Sequence, residues 1–130
     1  FWKYFGPFSQ EVVHTAKPEA LECDCTTNTD GECAHWLEAA ILREGADNVA
    51  AFIAEPVKGA GGVWTPSDDY FQKVREICDR YEVLFIADEV ITGFGRTGRW
   101  FALERFGVQP DILSIAKAIT SGYVPMGAYC

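Results

Sequence analysis

Basic residues are scarce in this chain. Its 11 Lys and Arg face 19 Asp and Glu, a formal net charge of −8. That balance argues against a nucleic-acid partner, whose phosphates need a basic face. Long apolar runs are missing as well. None approaches the ~18 residues of a membrane span, so no membrane partner is expected. Methionine occurs once, at Met126, and histidine twice, at His14 and His35. No Ser/His/Asp or Cys/His nucleophile set can be assembled from such spacing. There is no G-x-x-x-x-G-K-[ST] and therefore no P-loop. No signal-peptide pattern appears. The chain begins at Phe1 and stops at Cys130 as an apolar segment begins, which reads as an internal piece of a longer protein.

The five cysteines are an odd number. Nothing else points to secretion, and a cytoplasmic protein is expected. Cys23, Cys25, Cys33 and His35 form a C-x-C…C-x-H series that misses the usual C-x₂₋₄-C zinc pairs, so no metal site is expected. Cys78 falls on the apolar side of a predicted helix with Phe71, Val74, Ile77 and Tyr81, where a small buried thiol fits. Hydrophobic residues make up 48% of the 130 positions, well above what a disordered chain carries and enough for one domain.

Residues 1–32 read as irregular, with Val12 and Val13 the only strong strand hint and Thr26 opening a polar loop. Asp30 can cap a helix over about residues 32–44, which presents Leu37, Ala40 and Ile41 on one face and stops at Gly45. Residues 49–54 read as a buried strand ended by Glu55-Pro56. A loop containing Gly59, Gly61 and Gly62 follows. Ser67 is expected to cap a helix over about residues 68–81. A second buried strand, 83–87, a short helix, 101–106, and a third strand, 112–116, complete the pattern. Continuous apolar strands alternating with helices imply an α/β fold with a mostly parallel sheet covered on both faces. Such sheets bind ligands at the carboxyl ends of their strands. The residues delivered there are Glu55, Asp88 with Glu89, and Lys117.

The stretch DEVITGFGRTG, residues 88–98, contains a literal G-x-G-x-x-G. A dinucleotide finger puts its first glycine at the strand-to-helix turn and opens the helix within the motif. Here Asp88 to Thr92 separate the apolar strand from Gly93, and the following helix begins after the last glycine. An acid is also wanted further on, but the next strand ends in Lys117. The glycines are better read as shaping an active-site loop.

A carboxylate and a lysine at neighbouring strand ends suit pyridoxal-phosphate chemistry. The lysine amine condenses with the cofactor aldehyde. The carboxylate keeps the pyridine nitrogen protonated, so that the ring accepts electrons when the substrate Cα proton leaves. The freed lysine then carries that proton. Asp88 and Lys117 are the candidates. Ala116, Ala118 and Ile119 offer Lys117 a dry setting of the kind that lowers a lysine's pKa.

With these residues in view, the sequence resembles the class III aminotransferases, pyridoxal-phosphate enzymes of fold type I, in particular their ω-amino acid:pyruvate-like branch. The matching text is FIAEPVKGAGGVWTP and REICDRYEVLFIADEVITGFGRTGRWFALERFGVQPDILSIAKAITSGYVPMGA. It covers residues 49–128 nearly without gaps. Residues 31–48 fit the family's preceding helix, and residues 1–30 match loosely. The resemblance implies part of the large domain of a three-layer α/β/α enzyme, homodimeric when intact. That enzyme would move an amino group from an amine or ω-amino acid to a keto acid. It implies Asp88 as partner of the pyridine nitrogen and Lys117 as the Schiff-base lysine. Ile91 stands where some members carry a glutamine, and would press on the cofactor ring instead of hydrogen-bonding to it. Glu55 matches a glutamate that helps some members accept two substrates; the alternative is an acid held by nearby loop amides. The parts that hold the phosphate, stack on the ring and bind the substrate carboxylate are expected outside residues 1–130. Racemisation or isomerisation on the same cofactor is the alternative chemistry, and a non-catalytic dinucleotide-binding piece the alternative class.

Overall fold

A computed structural model of the chain describes residues 11–15 and 33–130. Asp30, the expected helix cap, and Cys23 and Cys25 lie outside the described residues. Helix α1 spans His35–Glu44 and buries Leu37, Ala40 and Ile41, the face expected from their spacing. It stops at Gly45, whose φ of 85° suits a residue without Cβ. Helix α2, Tyr70–Arg80, buries Tyr70, Phe71, Val74, Ile77 and Cys78. Burial pushes the Cys78 thiol up to about 11, as expected for an inert core thiol. Ser67 does not cap α2. Its hydroxyl donates to Asp69 Oδ1 at 2.7 Å, and Asp69 occupies the cap position without a side-chain bond to a helical amide, its other oxygen pairing with Lys73. The hydroxyl is engaged by a neighbouring acid and does not meet a free helical amide.

The strands are β1 (Ala51–Ala54), β2 (Leu84–Asp88), β3 (Ile112–Ala116) and β4 (Gly127–Tyr129), in the sheet order β1-β2-β3-β4. β1, β2 and β3 run parallel, with Phe52 opposite Phe85 and Asp88 opposite Ser114. β4 returns antiparallel to β3, with Ser114 opposite Tyr129. The sequence showed only an apolar segment there. Residues 117–126 are too short a connection for a parallel crossover, so the chain folds back.

Alternation along β2 divides the sheet into two faces. Phe85 and Ala87 lie on the covered face, joined to one core with Ala34, Leu37 and Ile41 of the α1 region and Phe71, Val74 and Cys78 of α2. Phe71 stacks on Phe85 at 5.9 Å and meets Phe106 edge-on at 5.0 Å. Each such buried ring contributes about 2 kcal/mol or more. The opposite face carries Ile53, Leu84 and Tyr129 at 59%, 47% and 83% exposure. The described residues therefore build two of the three expected layers, and coverage of both faces is not seen among them. The reason is topological: strands laid down in sequence order by right-handed crossovers put every connection on one side.

Asp111, just before β3, ties the amino ends of the strands together. Its N–H donates to Phe85 O at 2.8 Å. Its Oδ2 accepts from Phe85 N–H and from Arg75, both at 2.7 Å. The Phe85 amide foremost, and then the Arg75 guanidinium, hold the Asp111 carboxyl below the usual carboxylate range.

Candidate active site

Three parallel strands end side by side, and each delivers one of the expected ionisable residues. Glu55 follows the last residue of β1, Asp88 closes β2, and Lys117 follows the last residue of β3. Asp88 lies opposite Ser114, so Lys117 stands three residues further along the neighbouring strand. At strand spacings of ~4.8 Å across and ~3.3 Å along, the two Cα atoms are roughly 11 Å apart. A carboxylate reaching from one side and a lysine from the other leave room for a six-membered ring.

Asp88 is half-buried and extends the uncovered face of Leu84 and Ile86. Its Oδ1 accepts from Val90 N–H at 3.1 Å. Lys117 has a φ of 48°, in the left-handed region that a non-glycine residue enters only at a cost. It opens a 3-10 turn, Lys117–Thr120, that ends at Ser121, also left-handed at φ 53°. The dry setting expected for Lys117 is not formed by the described residues: Lys117 is exposed, and Ala116, Ala118 and Ile119 are only half-buried. Local apolar neighbours in sequence do not enclose a side chain that leaves the end of a strand. Lys117 makes no ion pair among the described residues.

Glu55 and Ile91 meet at Gly59. Glu55 Oε2 accepts from Gly59 N–H at 2.9 Å, so the loop-amide alternative for this acid describes its local bonding. A Cβ on Gly59 would lie 2.4 Å from Ile91 Cδ1, so glycine is what lets Ile91 rest on this loop. Lys58 and Trp64 pair across the base of the loop, Lys58 N–H donating to Trp64 O at 2.9 Å.

The G-x-G-x-x-G is not a strand-to-helix turn. Gly95 and Gly98 have φ of 88° and 86°, and Gly98 N–H donates to Gly95 O at 3.0 Å. Phe94 N–H donates to Trp100 O at 2.6 Å, closing the loop on itself. The next helical turn, Ala102–Phe106, begins only after the motif. This is a loop closed on itself, not a dinucleotide finger.

Glu89 is the residue whose part the sequence reading missed. It is fully buried. Its carboxylate accepts from Ala102 N–H at 3.0 Å, from Leu103 N–H at 2.8 Å and from the Thr92 hydroxyl. The signal was present: in a strand of period two, Glu89 continues the Val83, Phe85, Ala87 face, which is the covered one.

Comparisons with known proteins bear on the family and the fold. The family model described as aminotransferase class-III matches residues 2–130. A putrescine–pyruvate aminotransferase of Pseudomonas aeruginosa is 61% identical over 94 residues, 72% of this chain and 21% of that protein. A chloroplastic gamma aminobutyrate transaminase of Solanum lycopersicum is 50% identical over 121 residues, 90% of this chain and 23% of that protein. The crystal structure of an (S)-enantioselective omega-transaminase from Thermomicrobium roseum superposes with a TM-score of 0.89 at 46% identity, covering 98% of this chain and 29% of that one. The chain thus spans under a third of the length of each of these relatives. With a match that runs from residue 2 to its last residue, the chain belongs to the class-III aminotransferases.

Proposed function

We propose that residues 1–130 are part of the large domain of an enzyme that transfers an amino group from a small amine or ω-amino acid to a keto acid such as pyruvate, with pyridoxal 5'-phosphate as cofactor. The observation that carries this reading is the placement of Asp88 and Lys117 at the carboxyl ends of adjacent parallel strands, with Cα atoms roughly 11 Å apart and room for a ring between the side chains. The names of the relatives support the choice of donor and acceptor.

The side chains suit the cofactor. Asp88 has Oδ1 engaged by Val90 N–H, which directs the carboxylate without neutralising it and leaves Oδ2 for a protonated ring nitrogen. Lys117 is exposed at its strand end, as a covalent anchor must be before it engages a ligand. When bound, the cofactor supplies an aldehyde that takes up the amino group and a ring that draws electrons from the substrate Cα. Lys117 would hold the cofactor, and its free amine would be the base that takes the proton from the substrate Cα. Asp88 stabilises the positive charge at the ring nitrogen. Ile91 offers an apolar surface, seated on Gly59, that keeps water from the ring face. Glu55, with Oε2 tethered to the loop, has Oε1 for a polar or cationic part of the substrate. The same reading makes the intact protein a cytoplasmic homodimer, which solution molar mass and fractionation would check.

The test is made on the full-length enzyme. With cofactor added, it should gain a visible absorbance band. Putrescine or another ω-amine should bleach that band, and pyruvate should restore it with alanine as product. A protein that forms the band but only isomerises its amine would overturn the transfer reading. One that forms no band would overturn the cofactor.

A further inference from the structure

We propose that Glu89 is a positioning residue for Asp88. The inference deepens the reading above and rests on Asp88 being the partner of the ring nitrogen. Its basis is one planar peptide. The peptide that joins Glu89 to Val90 carries Glu89 O on one side and Val90 N–H on the other. Planarity forbids either from turning without the other. Val90 N–H donates to Asp88 Oδ1 at 3.1 Å, and Glu89 O accepts from Gly93 N–H at 2.9 Å. The orientation of the Asp88 carboxylate is thereby coupled to whatever holds Glu89.

Glu89 is held at every polar atom. Its N–H donates to Ser114 O of β3 at 2.9 Å. Its Oε1 accepts from Leu103 N–H, and its Oε2 from Ala102 N–H and the Thr92 hydroxyl. The carboxylate is inside the protein, so no solvent competes for these donors. It draws the far end of the loop, residues 102 and 103, onto the end of β2. Gly93 completes the clamp: a Cβ there would lie 3.0 Å from Glu89 O and 3.4 Å from the Phe101 ring. The first glycine of the G-x-G-x-x-G thus sits tightly against the Glu89 carbonyl, where a Cβ would be crowded.

Gln at position 89 keeps the shape but inverts half of the bonding. Whichever way its amide turns, the NH₂ group faces a backbone N–H, that of Leu103 or that of Ala102. The clamp should loosen, and the Asp88 turn with it.

The experiment uses the full-length enzyme and two readouts. The first is amide hydrogen exchange without cofactor. In Glu89→Gln, Ala102 and Leu103 should exchange faster, and so should Val90, on the order of tenfold. The second is the pH midpoint of the bound cofactor's visible band. A cation at the ring nitrogen disfavours a second proton elsewhere on the cofactor, so weakening the Asp88 contact raises that midpoint. Asp88→Asn should raise it by about one unit or more, and Glu89→Gln should move it the same way by less. Faster exchange at Ala102 and Leu103 with Val90 protection and midpoint unchanged would show that Glu89 only braces the loop, and would overturn the proposal. If Asp88→Asn leaves the midpoint in place, the ring-nitrogen reading has failed, and Val90 exchange still decides whether Glu89 holds the Asp88 turn. Should Glu89→Gln not fold, Thr92→Val decides. It removes one donor and keeps both amides, and should accelerate Val90 exchange while Thr92→Ser does not. Wild-type Val90 exchange in Thr92→Val overturns the proposal.

Discussion

The two ends of the parallel strands treat charge in opposite ways. At the amino ends, Asp111 meets Phe85 N–H and Arg75, and Arg75 in turn pairs with Asp79 at 2.7 Å. Every one of these charges faces a partner from its own fold. At the carboxyl ends, Asp88 has one backbone amide, Lys117 has no ion pair among the described residues, and the backbone at Lys117 is left-handed. The fold pairs the charges at one end and leaves those at the other open, and the proposed function puts chemistry at the open end. Glu89 is the exception at the open end: a saturated, buried acid adjoining an open one.

If that division is real, substitutions at the two ends should fall into separate classes. The largest effect belongs to Lys117→Ala in the full-length enzyme. It should abolish the cofactor band and reduce turnover by ~10³-fold or more, with little change in melting temperature. Steady-state transamination near the wild-type rate would remove Lys117 from the mechanism. Asp88→Asn comes next. It keeps the size, and the amide oxygen can still accept from Val90 N–H, but the charge is gone. Single-turnover amine consumption at full cofactor occupancy should slow by ~10²-fold, equivalent to about 2.7 kcal/mol of barrier. An unchanged rate would leave Asp88 a turn-forming acid only.

At the other end, Asp111→Ala should lower unfolding stability by about 1–3 kcal/mol through the orphaned Phe85 amide and the loss of one of Arg75's two carboxylate partners, with turnover per folded enzyme preserved. Denaturant titration measures it. The pH dependence has a definite sign. Because the Asp111 carboxyl is held below its ordinary range, its contribution is complete above the unfolded value near pH ~4. It is lost as pH falls through the lower folded value. Wild type should therefore lose more stability than Asp111→Asn on acidification below about pH 4. The smallest effect is expected for Gly59→Ala. Its Cβ would clash with the tip of Ile91, a side chain that can turn away, and would touch Glu55 Oε2 and Ile91 Cγ2 at an ordinary 3.4 Å, so stability should change by less than ~1 kcal/mol. The displaced Ile91 would enter the ring space, and cofactor or donor affinity should fall a few-fold. A large melting shift without an affinity change would place Gly59 with the structural residues instead.

Much of this division could be read from the chain alone. The three parallel strands, the buried faces of α1 and α2 and the ends that carry Glu55, Asp88 and Lys117 follow from apolar periodicity broken by ionisable residues. The Ser67 cap failed because the first helical amide, Tyr70 N–H, donates to the Ser67 carbonyl, while the Ser67 hydroxyl donates to Asp69. The dry surround of Lys117 failed because enclosure comes from other segments, not from sequence neighbours.

What the sequence determined by itself was the set of short-range quantities: which residues are apolar, at what period they recur, and which charges interrupt them. Those sufficed for the parallel strands, for the acid–lysine pair and for rejecting the dinucleotide finger. Only the tertiary structure decided that β4 turns back, that one face of the sheet is uncovered among the described residues, and that Gly59 seats Ile91 against the Glu55 loop. It also decided which of two adjacent acids is open. Period two puts Asp88 and Glu89 on opposite faces, but in a strand apolar on both faces it does not say which face is covered. The packing of α2 against one of those faces buries Glu89 and leaves Asp88 half-exposed.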